Sequence, residues 1–280
     1  MGKFSRTYSL LKASWNILRA DEEILIFPLL SLVVTILFYL LAYLFLFPSF
    51  SSLTNLRQLE ISNHLEYYAI LFVIYFCNYV IVVFFNSAVV ACAYVRMNGK
   101  NPTVSFGFRA AWSRIHLIIA WSLFAATVGL LLAMVEERLG KIGRLITGIF
   151  EVGWALGSFL VIPIFVVEKK GPWEAFSEST KLLKKTWGEN LISGVSFGLI
   201  SIILVIPAII IMLIITSMAG PGFGLPVIIT VIFYFIMVSM LVSVLKTIFQ
   251  VALYQYARTN RVPSGFDETD LPGAVGSKWS

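Results

Sequence analysis

One run in this chain spells a catalytic motif. Gly194-Val195-Ser196-Phe197-Gly198 matches G-x-S-x-G, in which a strand-to-helix turn presents a serine to a histidine and an acid. The setting is wrong for that chemistry. The run opens an apolar segment with no strand before it, and the chain holds only two histidines, His64 and His116. Gly194 and Gly198 are better read as a face for close helix approach, as are Gly153 and Gly157 in Gly153-Trp154-Ala155-Leu156-Gly157. There is no HExxH, no CxxC pair and no Walker A loop, and two histidines cannot build a His-rich metal site. No catalytic residue, metal ligand or cofactor is expected.

The remaining chemistry lies in polar groups set among apolar ones. Glu151 is the first candidate, because an ionisable group inside a span is costly and carries a functional hypothesis by default. Glu137, Lys141, Arg144 and Glu151 stand at i, i+4, i+7 and i+14, which on one helix would form a polar stripe entering from outside. Asn78 and Asn86, two turns apart, fit either interhelical hydrogen bonds or a polar permeation path. Pro163 and Pro207 each remove a helix N–H and are candidate hinges. Lys246 reaches the interface by snorkelling. Asp21-Glu22-Glu23 sits where acids cap the positive end of a following helix.

The elements that carry these residues follow from composition. Of 280 residues, 59% are apolar and 13% charged, against about a quarter charged in a soluble domain. Six apolar stretches, at about 24–47, 67–95, 115–135, 145–167, 191–218 and 226–256, each supply the ~20 residues a helix needs to cross a bilayer. Their continuity excludes a β-barrel, so an all-α, six-span membrane domain over 1–258 is expected. Cys77 and Cys92 fall on one helix about four turns apart and cannot pair. The first apolar run is long enough to span, with no cleavable signal before it. The net charge of +6 sits in the flanks of the apolar stretches, which argues against a nucleic-acid partner.

Sixteen of the 21 Lys and Arg residues fall in the N-terminal arm, the second and fourth loops and the tail. The positive-inside rule therefore places both termini in the cytoplasm of a cell with this protein in its membrane. Segments 3–19, 103–112 and 172–187 read as amphipathic helices on that side. Phe4, Tyr8, Leu11, Trp15 and Leu18 form one apolar stripe; Trp173, Phe176, Leu183 and Trp187 form another; Val104, Phe108 and Trp112 form a shorter one. Such helices suit an anionic phospholipid surface, or pack on the protein's own spans. Residues 259–280 read as a short, partly disordered tail.

The surface segments resemble one another. Phe4 to Trp15 aligns without a gap with Phe176 to Trp187, and Lys12-Ala13-Ser14-Trp15 is similar to Arg109-Ala110-Ala111-Trp112. Three copies of one unit, a surface helix followed by a helical hairpin, are the economical reading. Leu11 to Trp15, Leu18 to Glu23 with Phe27-Pro28-Leu29, Val167-Glu168, Gly171-Pro172, Ala175-Phe176, Ala252 to Ala257 and Pro263 to Asp267 carry a further resemblance. Over nearly the whole chain, they resemble an uncharacterised prokaryotic membrane-protein family, domain of unknown function 6159. The resemblance implies a six-helix prokaryotic membrane protein and brings no activity.

A non-enzymatic membrane protein acting through its spans and surface helices is the leading expectation, in an assembly, regulatory or lipid-organising role. A membrane-protein partner or a second copy of the chain fits that role. The alternative is a small-molecule or ion transporter with a midplane site, and the third an intramembrane lipid-modifying enzyme. A transporter predicts that Glu151, Asn78 and Asn86 converge.

Overall fold

The computed structural model describes residues 3–46, 64–187 and 224–266. The expected fifth span at 191–218, with Gly194, Gly198 and Pro207, lies outside the described residues, as do the side chains of Phe4 and Trp187. Among the described residues the chain is all-helical. Helix α1 (Lys3–Ala20) leads through a 3-10 turn (Glu22–Leu25) into α2 (Ile26–Leu46). Then follow α3 (His64–Met97), α4 (Val104–Trp112), α5 (Ile115–Gly157), α6 (Val161–Glu168), α7 (Pro172–Trp187) and α8 (Gly224–Thr259).

Among the described residues, four helical stretches are long and apolar enough to cross a membrane: Glu22–Leu46, Leu65–Met97, Ile115–Glu168 and Ile229–Thr259. Their large apolar side chains face outward in numbers no water-soluble surface carries, among them Leu41, Phe45, Leu65, Ile149 and Phe233. The third stretch is folded on itself. At Gly140 the backbone leaves the helix at φ 53, ψ −122, a conformation that suits glycine. The Trp121 and Trp154 rings then stack 5.7 Å apart, and Thr147 Oγ1 lies 3.3 Å from Glu136 Oε1. The segments expected as third and fourth spans fall on the two arms of this hairpin and on α6. That reversal also corrects the polar stripe: Glu137 ends one arm, while Lys141, Arg144 and Glu151 lie on the other, so the four share no single helix face.

A second break, at Ser158–Leu160, separates α5 from α6. Pro163 stands in the first turn of α6, where its missing N–H has no helical partner to lose. The break is held from outside, because the buried N–H of Leu160 donates to Ser179 Oγ of α7 at 3.1 Å.

Helix α3 is central, packing against α2, α4, α5, α6 and α8. The fully buried side chains gather at one end of the helices: Leu10, Phe27, Val89, Ile118, Leu160 and Ile248 are examples. This is also where α1, α4 and α7 lie and where most described arginines and lysines cluster, so it is called the basic end below.

Candidate functional site at the basic end

Three short helices close the basic end, each holding its small and aliphatic residues inward. On α1 the buried set is Leu10, Ala13, Ser14, Ile17 and Leu18; on α4, Gly107 and Ala111; on α7, Ala175, Ser179, Leu182 and Leu183. These stripes lie about one position round from those expected from aromatic spacing. Aromatic residues mark where a helix is amphipathic, but close packing against another helix selects small side chains. Three of their tryptophans are left outside. Trp15, Trp112 and Trp173 are 44%, 68% and 69% exposed.

Glycines set how closely the helices approach. A Cβ on Gly107 would stand 2.4 Å from Phe27 Cζ and 2.9 Å from Cys92 Sγ, so α4 sits directly on α2 and α3. A Cβ on Gly157 would meet the Phe176 ring at 2.6 Å, whereas Gly153 has open space around it. Phe176 is half-buried and stacks on Trp154, with centroids 5.3 Å apart. Trp121, Phe124 and Trp173 complete an aromatic layer between the hairpin and α7.

Two ion-pair groups stitch this end together. Glu168, at the end of α6, accepts from Tyr254 Oη, Arg258 Nε and Arg258 Nη2, each at 2.7 Å, and from Lys170 Nζ at 2.8 Å. Arg258 Nη1 reaches Glu178 Oε1 of α7 at 2.8 Å. One carboxylate thus joins α6 to α8, and one guanidinium joins α8 to α7. In the other group, Arg96 Nε donates to Asp21 Oδ2 at 2.5 Å, and Nη1 donates to Asn101 Oδ1 at 2.5 Å. Asp21 makes no side-chain capping bond, so its role is this cross-link rather than the helix cap expected of it. Both arginines stand in the last turn of their helices. Their acidic partners, about 75 and 90 residues away in sequence, leave no local trace.

The chain beyond α8 is also fixed at its start. Pro263 and Phe266 are buried, and a Cβ added to Gly265, which stands at φ 95, would lie 3.0 Å from Ile17 Cγ1. Residues 260–266, the start of the segment read as a short, partly disordered tail, therefore fold onto α1.

The polar residues singled out within the apolar stretches have different surroundings. Glu151 is exposed on its hairpin arm and makes no hydrogen bond to Asn78 or Asn86 among the described residues. Asn78 is half-buried. Asn86 instead lines a cleft of about 410 Å³ between α2, α3 and α8, with Ser31, Thr35, Ser239 and Ser243. At the far end, Tyr68 Oη donates to the Glu137 carboxylate and ties α3 to the hairpin tip. Among the described residues no group of His, Cys, Asp and Glu could hold a metal ion, and His116 is exposed.

A model built for a family of unknown function, DUF6159, matches residues 65–266. The chain belongs to this family. The match begins at α3 and runs through the Phe266 turn, so it takes in Glu168, Glu178, Tyr254 and Arg258. It is narrower than the resemblance implies, leaving α1, α2 and Asp21 outside. No curated protein and no solved structure matches the chain. Membership in this family of unknown function therefore assigns the chain no activity.

Proposed function

We propose that this DUF6159 protein is a non-enzymatic, six-span protein of the cell membrane that works at the inner leaflet. Both termini are cytoplasmic, and the architecture is three hairpins, each preceded by a surface helix. Its role is to organise anionic phospholipid or to assemble with a membrane protein or a second copy of itself at that surface. The observation that carries this reading is the outward set of Trp15, Trp112 and Trp173 on helices locked to the basic end. A tryptophan ring exposed beside basic residues suits the headgroup layer, where one edge is apolar and the other wet. The paired positions support the repeat: Ser14 and Ala111 are both buried, and the Trp after each is exposed.

The test is depth-dependent quenching of the full chain in vesicles, using lipids brominated near the glycerol backbone. Wild-type fluorescence should fall strongly. Replacing Trp15, Trp112 and Trp173 together by Ser should remove most of that quenching without unfolding the protein. Equal quenching in the variant, or ready quenching of the wild type by aqueous iodide, would overturn the reading.

The cleft at Asn86 favours transport as a second reading, because four hydroxyls and one amide face a space between three apolar helices. Solute flux abolished by Asn86→Leu, with insertion intact, would establish it. Flux that is absent, or unchanged by the substitution, would dismiss it.

A further inference from the structure

A cavity of about 550 Å³ opens at the basic end between α3, α4, the start of α5 and α6. Tyr94, Arg109, Ser113 and Arg114 line it with polar groups, and Ala91 and Val166 with apolar ones. Among the described residues, no acidic side chain is in its wall. The nearest acid in sequence, Glu168, follows the lining residue Val167, but its carboxylate is taken by Tyr254, Arg258 and Lys170.

Two guanidinium groups thus share one cavity, and among the described residues neither has a carboxylate partner. Arg114 Nη1 donates to Ala110 O at 3.0 Å and to Ser113 Oγ at 2.9 Å, which finishes the end of α4. Its Nε is buried and has no hydrogen-bond partner among the described residues. Burial pushes the Arg114 pKa down, the direction in which a charge loses solvation without an anion to replace it. Arg114 also stands at the N-terminal, positive end of α5, where a cation is disfavoured and an anion favoured. Arg109 is exposed, and among the described residues its guanidinium bonds to Ser105 Oγ alone, at 3.3 Å. The ends of α3, α4 and α6 also meet this wall, so its positive charge comes from the two guanidinium groups and the start of α5, and the arginine fork matches the oxygens of phosphate.

We propose that this cavity binds a phosphate group between Arg109 and Arg114, presented by an anionic lipid headgroup or by a soluble phosphate. This rests on the placement of the basic end at the membrane surface proposed above. The mixed wall fits the lipid source: the polar side takes the phosphate, and Ala91 and Val166 meet the glycerol that follows it.

The experiment uses the full chain in nanodiscs of phosphatidylcholine, alone or in equimolar mixture with phosphatidylglycerol, and counts retained lipids by mass spectrometry of the intact complex. The wild type should retain one phosphatidylglycerol preferentially. Arg109→Gln, at an exposed position, should weaken that retention about fivefold to tenfold, the loss expected for one arginine–phosphate contact. Arg114→Lys should weaken it also, while Lys12→Gln, a basic residue away from the cavity, should leave it unchanged. Inorganic phosphate that stabilises the delipidated wild type but not Arg109→Gln would assign the soluble source. Equal weakening by Arg109→Gln and Lys12→Gln would overturn the cavity while leaving the surface reading intact. Phosphatidylglycerol held no better than phosphatidylcholine would also overturn it.

Discussion

Replacing Glu168 by Gln should loosen the basic end, and the size of the effect follows from its partners. The carboxylate takes two bonds from Arg258, one from Tyr254 and one from Lys170, with its side chain about 20% exposed. A charge-assisted hydrogen bond is worth about 1.5–3 kcal/mol and a neutral one about 1. Glutamine keeps the shape and one acceptor, but it turns a donor toward a guanidinium. Arg258 keeps Glu178 at 2.8 Å, so the arginine is not stranded, and partial exposure weakens each ion pair. These terms together give a loss of about 2–4 kcal/mol, concentrated in the Arg258 contact. The assay is unfolding from mixed micelles by a denaturing detergent, run on Glu168→Gln, Arg258→Gln and the double variant. If the network works as a unit, the double variant should lose about 1–2 kcal/mol less than the two singles added together. Additivity within about 0.5 kcal/mol would refute the coupling, and with it the idea that this carboxylate joins α6 to α8.

Gly107→Ala should cost about 1–3 kcal/mol, because the new methyl enters the space of Phe27 Cζ and Cys92 Sγ. Faster maleimide labelling of Cys92 in a Cys77→Ser background would report the loosened contact; an unchanged rate would contradict it. Gly265→Ala must hold a β-carbon at φ 95 against Ile17, at a cost of about 1 kcal/mol or more. Trypsin cleavage after the exposed Arg261 should then quicken, and no change would mean that the turn does not depend on its seat on α1. Ser179→Ala strips the buried Leu160 N–H of its acceptor, worth about 1–3 kcal/mol, and should speed hydrogen exchange at that amide. An amide as slow as in the wild type would show that the break needs no support from α7.

By itself the sequence determined where apolar helix must run and which segments are amphipathic. Those properties depend on residues a few positions apart, and twenty consecutive apolar residues admit no other structure in a bilayer. Thus α2, α3, the two hairpin arms and most of α8 stand close to the expected stretches, and α1, α4 and α7 stand at the expected surface segments. The alignment of Lys12–Trp15 with Arg109–Trp112 was legible for the same reason, since both obey one local pattern of small-inside, tryptophan-outside. Which face turned inward was decided elsewhere. Ser14, Gly107 and Ser179 are buried because a neighbouring helix comes close, and closeness belongs to the pair rather than to either helix. Asp21 shows the limit most clearly. Its position before a helix says cap, yet a better donor, Arg96, arrives from 75 residues away and takes the carboxylate. Glu168 and Arg258, and the cavity shared by Arg109 and Arg114, have the same origin. A charge in sequence carries no record of which distant opposite charge, or which absence of one, folding will set beside it, and only the packing of α3, α6 and α8 decided that.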